Sequence, residues 1–166
     1  MNSGPESLGR RGAALVDKIV SGGQTGVDRA GLDVAIALGI EHGGWCPSGR
    51  RAEDGRIPAC YQLVETDSPE YAVRTEQNVI DSDGSLILYF AELRGGTEFT
   101  YRMTQKHARP HFLVDLHAPI PADAVRHWLC EQSIRVLNIA GPRSSQSEGI
   151  YEMARVYLEA VLAEES

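Results

Sequence analysis

Short apolar runs alternate with amphipathic stretches along most of this chain, and the alternation predicts an α/β fold. Apolar runs a few residues long indicate strands, and apolar residues that recur every three or four positions indicate helices. The clearest strand is Ser85 to Phe90, whose continuous apolar sequence is typical of a strand buried on both faces of a parallel sheet. The first helix starts near Thr25 and ends at Gly39, which supplies a C-terminal stop.

The remaining elements follow from the same patterns. Further strands are predicted at Ile19–Val20, Glu41–Trp45, Tyr61–Glu65, Phe112–Leu116 and Val136–Ala140. Further helices are predicted after Ser68-Pro69, after Gly95-Gly96 with Thr97 as a hydroxyl cap, from Pro121, and after Ser145. Capping boxes are expected at Thr25/Asp28 and at Ser145/Glu148. This order of strands and helices calls for a mostly parallel sheet with helices on both faces.

The helix predicted from Ser68-Pro69 to about Ile80 has an apolar face with one acidic residue in it. The apolar residues of this face are Ala72, Val73, Val79 and Ile80. Glu76 falls between them, and a carboxylate there needs a partner, so it is either a paired rim residue or a functional group. The residues predicted on a neighbouring polar face are Tyr71, Arg74 and Asn78.

Three turns rich in glycine and hydroxyl residues follow predicted strands, at Gly22-Gly23, Gly95-Gly96-Thr97 and Gly141–Ser147. The carboxyl ends of parallel strands meet at one edge of a sheet, where such folds bind ligands. The first turn opens a helix, so we expect it to present free N–H groups and a positive dipole end to an anion. It matches neither G-x-G-x-x-G nor Walker A, and alone it could serve packing only. Three such turns on one edge favour an anion site.

Arginines near these turns extend the predicted site. Arginine holds an oxyanion in a two-pronged fork, which lysine cannot do. The candidate ligand-binding residues are Gly22, Gly23, Gln24, Thr25, Asp28, Arg29, Arg50, Arg74, Gly95, Gly96, Thr97, Gly141, Arg143, Ser144 and Ser145. The segment Ser48–Pro58 is rich in arginine and glycine and is predicted to be a long loop, which either orders over a bound anion or is solvated surface.

Composition narrows the function classes. The chain has 166 residues, which predicts one domain, a ligand-binding domain over residues 15–166. Residues 1–14 are rich in Gly, Ser and Arg and are predicted to be a disordered tail. The net charge of −7 argues against binding to nucleic acid or to a membrane surface. Three cysteines with no C-x-x-C spacing fit a reducing cytoplasm, and the histidines lack metal-ligand spacing, so no metal site is expected. We also expect a homo-oligomer.

Four segments carry a resemblance to a known family: Ser21–Asp33, Gly43–Pro58, Arg74–Gly84 and Gly95–Thr100. They resemble the molybdenum carrier family, a YpsA-like branch of the SLOG superfamily that also contains the LOG phosphoribohydrolases. The resemblance implies a Rossmann-like three-layer fold with its ligand at the carboxyl edge of the sheet. It further implies a phosphorylated small-molecule ligand, either the molybdenum cofactor (molybdopterin) or a nucleotide-derived molecule.

The resemblance also raises an enzymatic alternative. LOG-type N-glycosidases pair a catalytic arginine with a P-G-G-x-G-T-x-x-E turn, and Arg74 matches that arginine. The turn is shortened here, and the glutamate position carries Thr100. The candidate catalytic residues are therefore Arg74, Glu76 and Glu98, and the substituted glutamate favours binding without turnover. An interaction module with a vestigial pocket is the third possibility.

Overall fold

The computed structural model describes residues 15–164 and contains nine strands and five helices within that range. The strands are β1 (Lys18–Val20), β2 (Glu41–Gly43), β3 (Trp45–Cys46), β4 (Arg51–Ala52), β5 (Gly55–Arg56), β6 (Val64–Glu65), β7 (Gly84–Tyr89), β8 (His111–Asp115) and β9 (Val136–Ala140). The helices are α1 (Val27–Leu38), α2 (Tyr71–Ile80), α3 (Gly95–Lys106), α4 (Ala122–Glu131) and α5 (Ile150–Leu162). The tail predicted over residues 1–14 lies outside the described residues.

The central sheet has five strands in the order β2-β1-β9-β7-β8, and every neighbouring pair is parallel. Helices α1 and α4 pack against α5 on one face, and α2 packs against α3 on the other. The main core lies between the sheet and the α1–α4–α5 layer, where Leu86, Leu137 and Ile139 are fully buried. The predicted α/β fold with helices on both faces of a parallel sheet is confirmed.

The segment from Ser48 to Pro58, predicted as a loop, contains a two-stranded hairpin. Strands β4 and β5 pair antiparallel, and Ile57 directly after them is fully buried. The strand predicted at Tyr61–Glu65 is reduced to β6, which pairs with β3 outside the central sheet. Ile57 and Tyr61 pack with Leu32 of α1 in a small second core, and this packing anchors the hairpin to the domain.

The predicted capping boxes are wrong. Helix α1 begins after Gly26 and α5 begins after Gly149, and neither helix has a side-chain cap. The hydroxyls of Thr25 and Ser145 instead donate to the carboxylate of Glu53, far away in sequence. Helix α2 likewise begins at Tyr71 rather than at Pro69, and α3 begins at Gly95 without a hydroxyl cap.

The prediction of which α2 face is buried is wrong except at Val79. The buried residues of α2 are Arg74, Asn78 and Val79, whereas Val73 is 42% exposed. The Asn78 side chain accepts a hydrogen bond from the Trp45 N–H at 2.8 Å and donates one to the Trp45 carbonyl at 3.0 Å. The amide thereby bonds to the backbone of β3 as a neighbouring strand would. Tertiary hydrogen bonds, rather than apolar burial, decide which side of α2 faces inward.

Within residues 15–164, no helix combines the length and the apolar character needed to cross a bilayer.

Candidate functional site

A cavity of about 380 Å³ lies at the carboxyl edge of the central sheet, where β1 and β9 end. Its walls come from α2 and α3 on one side and from the turns after β1 and β9 on the other. The lining residues are Gly22, Gln24, Asp28, Tyr71, Ala72, Arg74, Thr75, Asn78, Gly95, Gly96, Thr97, Phe99, Thr100, Asn138, Ile139, Ala140, Gly141, Pro142, Arg143 and Gln146. The structure thus brings residues of all three predicted turns to one cavity.

The first of these turns does not present the free N–H groups that its sequence predicts. Gly23 donates to Ser21 Oγ at 3.3 Å, and Gln24 donates to Asp28 Oδ2 at 3.2 Å. Thr25 donates to Gln24 Oε1 at 3.1 Å. These three N–H groups are therefore bonded to side chains of the protein and are not free to bind an anion. The carboxylate of Asp28 lies where an external anion would bind.

Asp28 is the one carboxylate that lines the cavity within the described part of the chain, and its side chain is buried. Residue exposure is 7%. Burial raises the pKa of Asp28 from 3.8 to about 6, although the nearby charge of Arg74 and the N–H of Gln24 oppose that rise. The cavity therefore contains an acid that changes protonation close to neutral pH.

The second turn forms the N-terminus of α3 and is open. Thr97 and Glu98 donate their N–H groups to the Arg94 carbonyl at 3.0 and 3.3 Å, and the helix has no side-chain cap. The N–H groups that have no acceptor among residues 15–164 at this helix start are those of Gly95 and Gly96. A Cβ atom added at Gly96 would meet no atom within 4 Å, so there is open space beside this residue. An uncapped helix N-terminus that faces a cavity carries a partial positive charge suited to an anion.

Arg74 reaches the cavity from α2 and is only 6% exposed. Its Nη1 donates to the Gly22 carbonyl at 2.8 Å and its Nε to Thr75 Oγ1 at 3.0 Å. The guanidinium lies 5.2 Å from the centre of the Tyr71 ring. A Cβ atom at position 22 would come within 2.4 Å of Nη1, so the glycine is required for this packing. Among residues 15–164, none accepts a hydrogen bond from Nη2, which leaves one prong of the fork for a ligand.

Several predicted ligand-binding residues lie outside the cavity. Arg29 donates to the Gly23 carbonyl at 3.1 Å and forms a two-pronged ion pair with Asp54. Arg50 donates to four backbone carbonyls between Ile57 and Leu63, including those of Pro58 and Tyr61 at 2.9 and 2.8 Å. Both arginines hold the β4–β5 hairpin in place. The other predicted residues that do not line the cavity are Gly23, Thr25, Ser144 and Ser145.

Neither candidate catalytic glutamate lines the cavity. Glu76 Oε2 accepts a hydrogen bond from Lys106 Nζ at 2.9 Å and lies 3.1 Å from His107 Nε2. These contacts lower the pKa of Glu76 and connect α2 to the C-terminal end of α3. Glu98 is exposed on the first turn of α3. Thr100 does line the cavity, but its hydroxyl donates to the Gly96 carbonyl at 2.9 Å.

Two residues that shape this region were not predicted as part of the site. Asn138 lies within β9, is 3% exposed, and donates to Ser85 Oγ at 3.0 Å. Its position, as a polar residue inside an apolar strand, was a signal available from the sequence. Glu53 binds the hydroxyls of Thr25 and Ser145, and its N–H donates to Gln24 Oε1 at 2.9 Å. No local pattern pointed to Glu53, because its partners are remote in sequence.

Comparison with known proteins agrees with the resemblance found in the sequence. The model of the circularly permutated YpsA SLOG family matches residues 19–162. A solved structure of a protein described as a putative molybdenum carrier protein, from Syntrophus aciditrophicus SB, is 44% identical in sequence. It superimposes with a TM-score of 0.87, and the match covers 90% of this chain and 97% of that one. No curated protein matches this chain. The chain therefore belongs to the circularly permutated YpsA SLOG family.

Proposed function

We propose that this protein binds a phosphate-bearing small molecule in the cavity at the carboxyl edge of its sheet, and that it carries this ligand without turning it over. The ligand is the molybdenum cofactor, through its pterin phosphate, or a nucleotide-derived molecule. The similarity to the protein described as a molybdenum carrier supports the first. A cavity of about 380 Å³ is large enough for a small ligand of either kind.

One observation carries the proposal: a buried arginine and an uncapped helix N-terminus line the same cavity. Arg74 is 6% exposed and keeps Nη2 without a partner among the described residues. Gly95, Gly96 and Thr97 begin α3 on the cavity wall. A fork of N–H groups and a positive helix end are both suited to holding a phosphate.

Native mass spectrometry of the freshly purified protein identifies the ligand that co-purifies, and calorimetry then tests its site. Gly96→Asp places a carboxylate in the open space beside Gly96 on the first turn of α3 and should weaken binding at least tenfold, since a charge-assisted hydrogen bond contributes about 1.5–3 kcal/mol. Val156→Asp is the matched control, because it adds the same charge on an exposed position of α5 that does not line the cavity. Equal affinity of the two variants would refute this binding mode.

A nucleoside monophosphate N-glycosidase is the second candidate, and the position of Asp28 is what favours it. Cleavage of an N-glycosidic bond needs an acid that protonates the departing base. Asp28 lines the cavity, is 7% exposed and has a pKa raised to about 6 by burial, so it could supply that proton. Glu76 and Glu98 could not do so in this arrangement, because neither lines the cavity.

Chromatographic measurement of released free base distinguishes the carrier from the enzyme. Incubation with adenosine or guanosine monophosphate should release no free base above the buffer control if the protein is a carrier. Release that Asp28→Asn abolishes and Glu76→Gln preserves would establish the enzyme and assign Asp28 as its acid. Release that Glu76→Gln abolishes would contradict the placement of Glu76 outside the cavity.

A further inference from the structure

The turn of the β4–β5 hairpin contains Glu53, whose carboxylate accepts hydrogen bonds from other parts of the protein as a bound anion would. Glu53 Oε1 accepts hydrogen bonds from the Thr25 hydroxyl and from the Ser145 N–H, the latter at 3.2 Å. Its Oε2 accepts one from the Ser145 hydroxyl and lies 3.5 Å from Arg143 Nε. Desolvation acts to raise the pKa of Glu53, but these hydrogen bonds and the Arg143 charge together lower it.

The groups that surround this carboxylate are positioned independently of the hairpin. They belong to the turns after β1 and β9, which contact each other directly. Val27 N–H donates to the Pro142 carbonyl at 3.3 Å, and Ser144 N–H donates to Thr25 Oγ1 at 3.1 Å. The turns after β1 and β9 therefore form a cluster of donors from Thr25, Arg143 and Ser145, which we call the nest. The hairpin places the Glu53 carboxylate in this nest. Because the two contacts between these turns do not involve the hairpin, we expect the donors to stay close together without the Glu53 side chain.

A carboxylate does not satisfy this nest completely. Arg143 Nε is buried, yet none of the residues from 15 to 164 accepts a hydrogen bond from it. A buried N–H without an acceptor is costly, and a phosphoryl group offers more oxygen atoms, in a tetrahedral arrangement, than a planar carboxylate. Arg143 also lines the cavity, as does Gln24, whose Oε1 accepts the Glu53 N–H. The nest and the cavity therefore share a wall.

We propose that Thr25, Arg143 and Ser145 form a second anion subsite, in which the Glu53 carboxylate stands in for a phosphoryl group. A second phosphoryl group of the ligand occupies this subsite after displacing Glu53. The ligand class is then a small molecule with two phosphoryl groups, such as a nucleoside diphosphate. This inference rests on the proposed function for the first phosphoryl group, at Arg74 and the α3 N-terminus. The hairpin stays attached when Glu53 leaves, because Arg29 still pairs with Asp54.

Calorimetric titration with inorganic phosphate at low ionic strength measures how many phosphates bind per chain. The unmodified protein should bind one phosphate per chain with the second site at least tenfold weaker, and Glu53→Ala should bind two. Glu70→Ala is the charge control, since it removes one negative charge from an exposed side chain that neither lines the cavity nor contacts the nest. It should still bind one. Adding Ser145→Ala to Glu53→Ala should abolish the gained site.

The outcomes separate this inference from the proposed function. A single site in Glu53→Ala, at unchanged affinity, overturns the second subsite. One site in the Glu53→Ala, Arg74→Ala double variant supports it, even if the unmodified protein binds no phosphate and the first site therefore fails. Should Glu53→Ala unfold, Glu53→Gln keeps the side-chain size and removes the charge. A phosphate site gained by that variant supports the subsite, and no gain overturns it.

Discussion

Asp28 should make the stability of this protein depend on pH in a direction opposite to that of most carboxylates. Its pKa is raised from 3.8 to about 6, mainly by burial, so the folded protein holds a proton there that the unfolded chain has already lost. Between these two pKa values the folded state binds more protons, and its stability therefore rises as the pH falls. Above about pH 6 this gain is absent, because Asp28 is ionised in both states.

The size of the effect follows from the two pKa values. Between pH 7.5 and pH 5.0, preferential protonation of the folded state should add roughly 1.4 kcal/mol to the free energy of unfolding. At neutral pH the buried charge costs about 3 kcal/mol relative to a neutral group. Asp28→Asn removes the charge and keeps an oxygen that can accept the Gln24 N–H, so we expect this variant to be more stable at pH 7.5.

Urea denaturation of both proteins at several pH values tests this reasoning. The difference in unfolding free energy between Asp28→Asn and the unmodified protein should shrink by roughly 1.4 kcal/mol from pH 7.5 to pH 5.0. Subtracting the variant cancels the contribution of every other titrating group, provided that both unfold in two states. A difference that stays constant over this range would show that the pKa of Asp28 is not raised, and it would remove the main support for the enzymatic alternative.

Three further predictions follow from the site. Arg74→Lys keeps the charge but loses the fork, so calorimetry should show ligand affinity reduced about tenfold, and unchanged affinity would mean that Arg74 is not the anion clamp. Glu76→Gln should lower the free energy of unfolding in urea by less than about 1 kcal/mol and leave ligand affinity intact, because its partners Lys106 and His107 lie outside the cavity. Gly141→Ala should unfold the protein well below the melting temperature of Gly96→Ala, since a Cβ atom at position 141 comes within 2.2 Å of the Leu88 carbonyl.

The sequence alone determined the architecture. The spacing of apolar positions predicted the parallel sheet and its flanking helices. This spacing is visible in the local sequence, and burial of those side chains is the main contribution to the stability of each element. The same logic placed the turns after β1, β7 and β9 at one edge, since parallel strands share a direction. The sequence also predicted Arg74, on the helix before β7, and the α3 glycines as site residues, and these residues line the same cavity.

Only the tertiary structure decided which of the three turns is open to a ligand. Backbone N–H groups donate to any carboxylate that reaches them, and the sequence does not show which acidic residue that will be. Asp28 fills the first turn from within its own helix, and Glu53 fills the third from a hairpin that precedes it by 92 residues. The α3 turn receives neither and stays open beside Arg74. The local sequence shows where the turns are. Whether a carboxylate of the protein already binds a turn depends on the tertiary contacts that bring that carboxylate there.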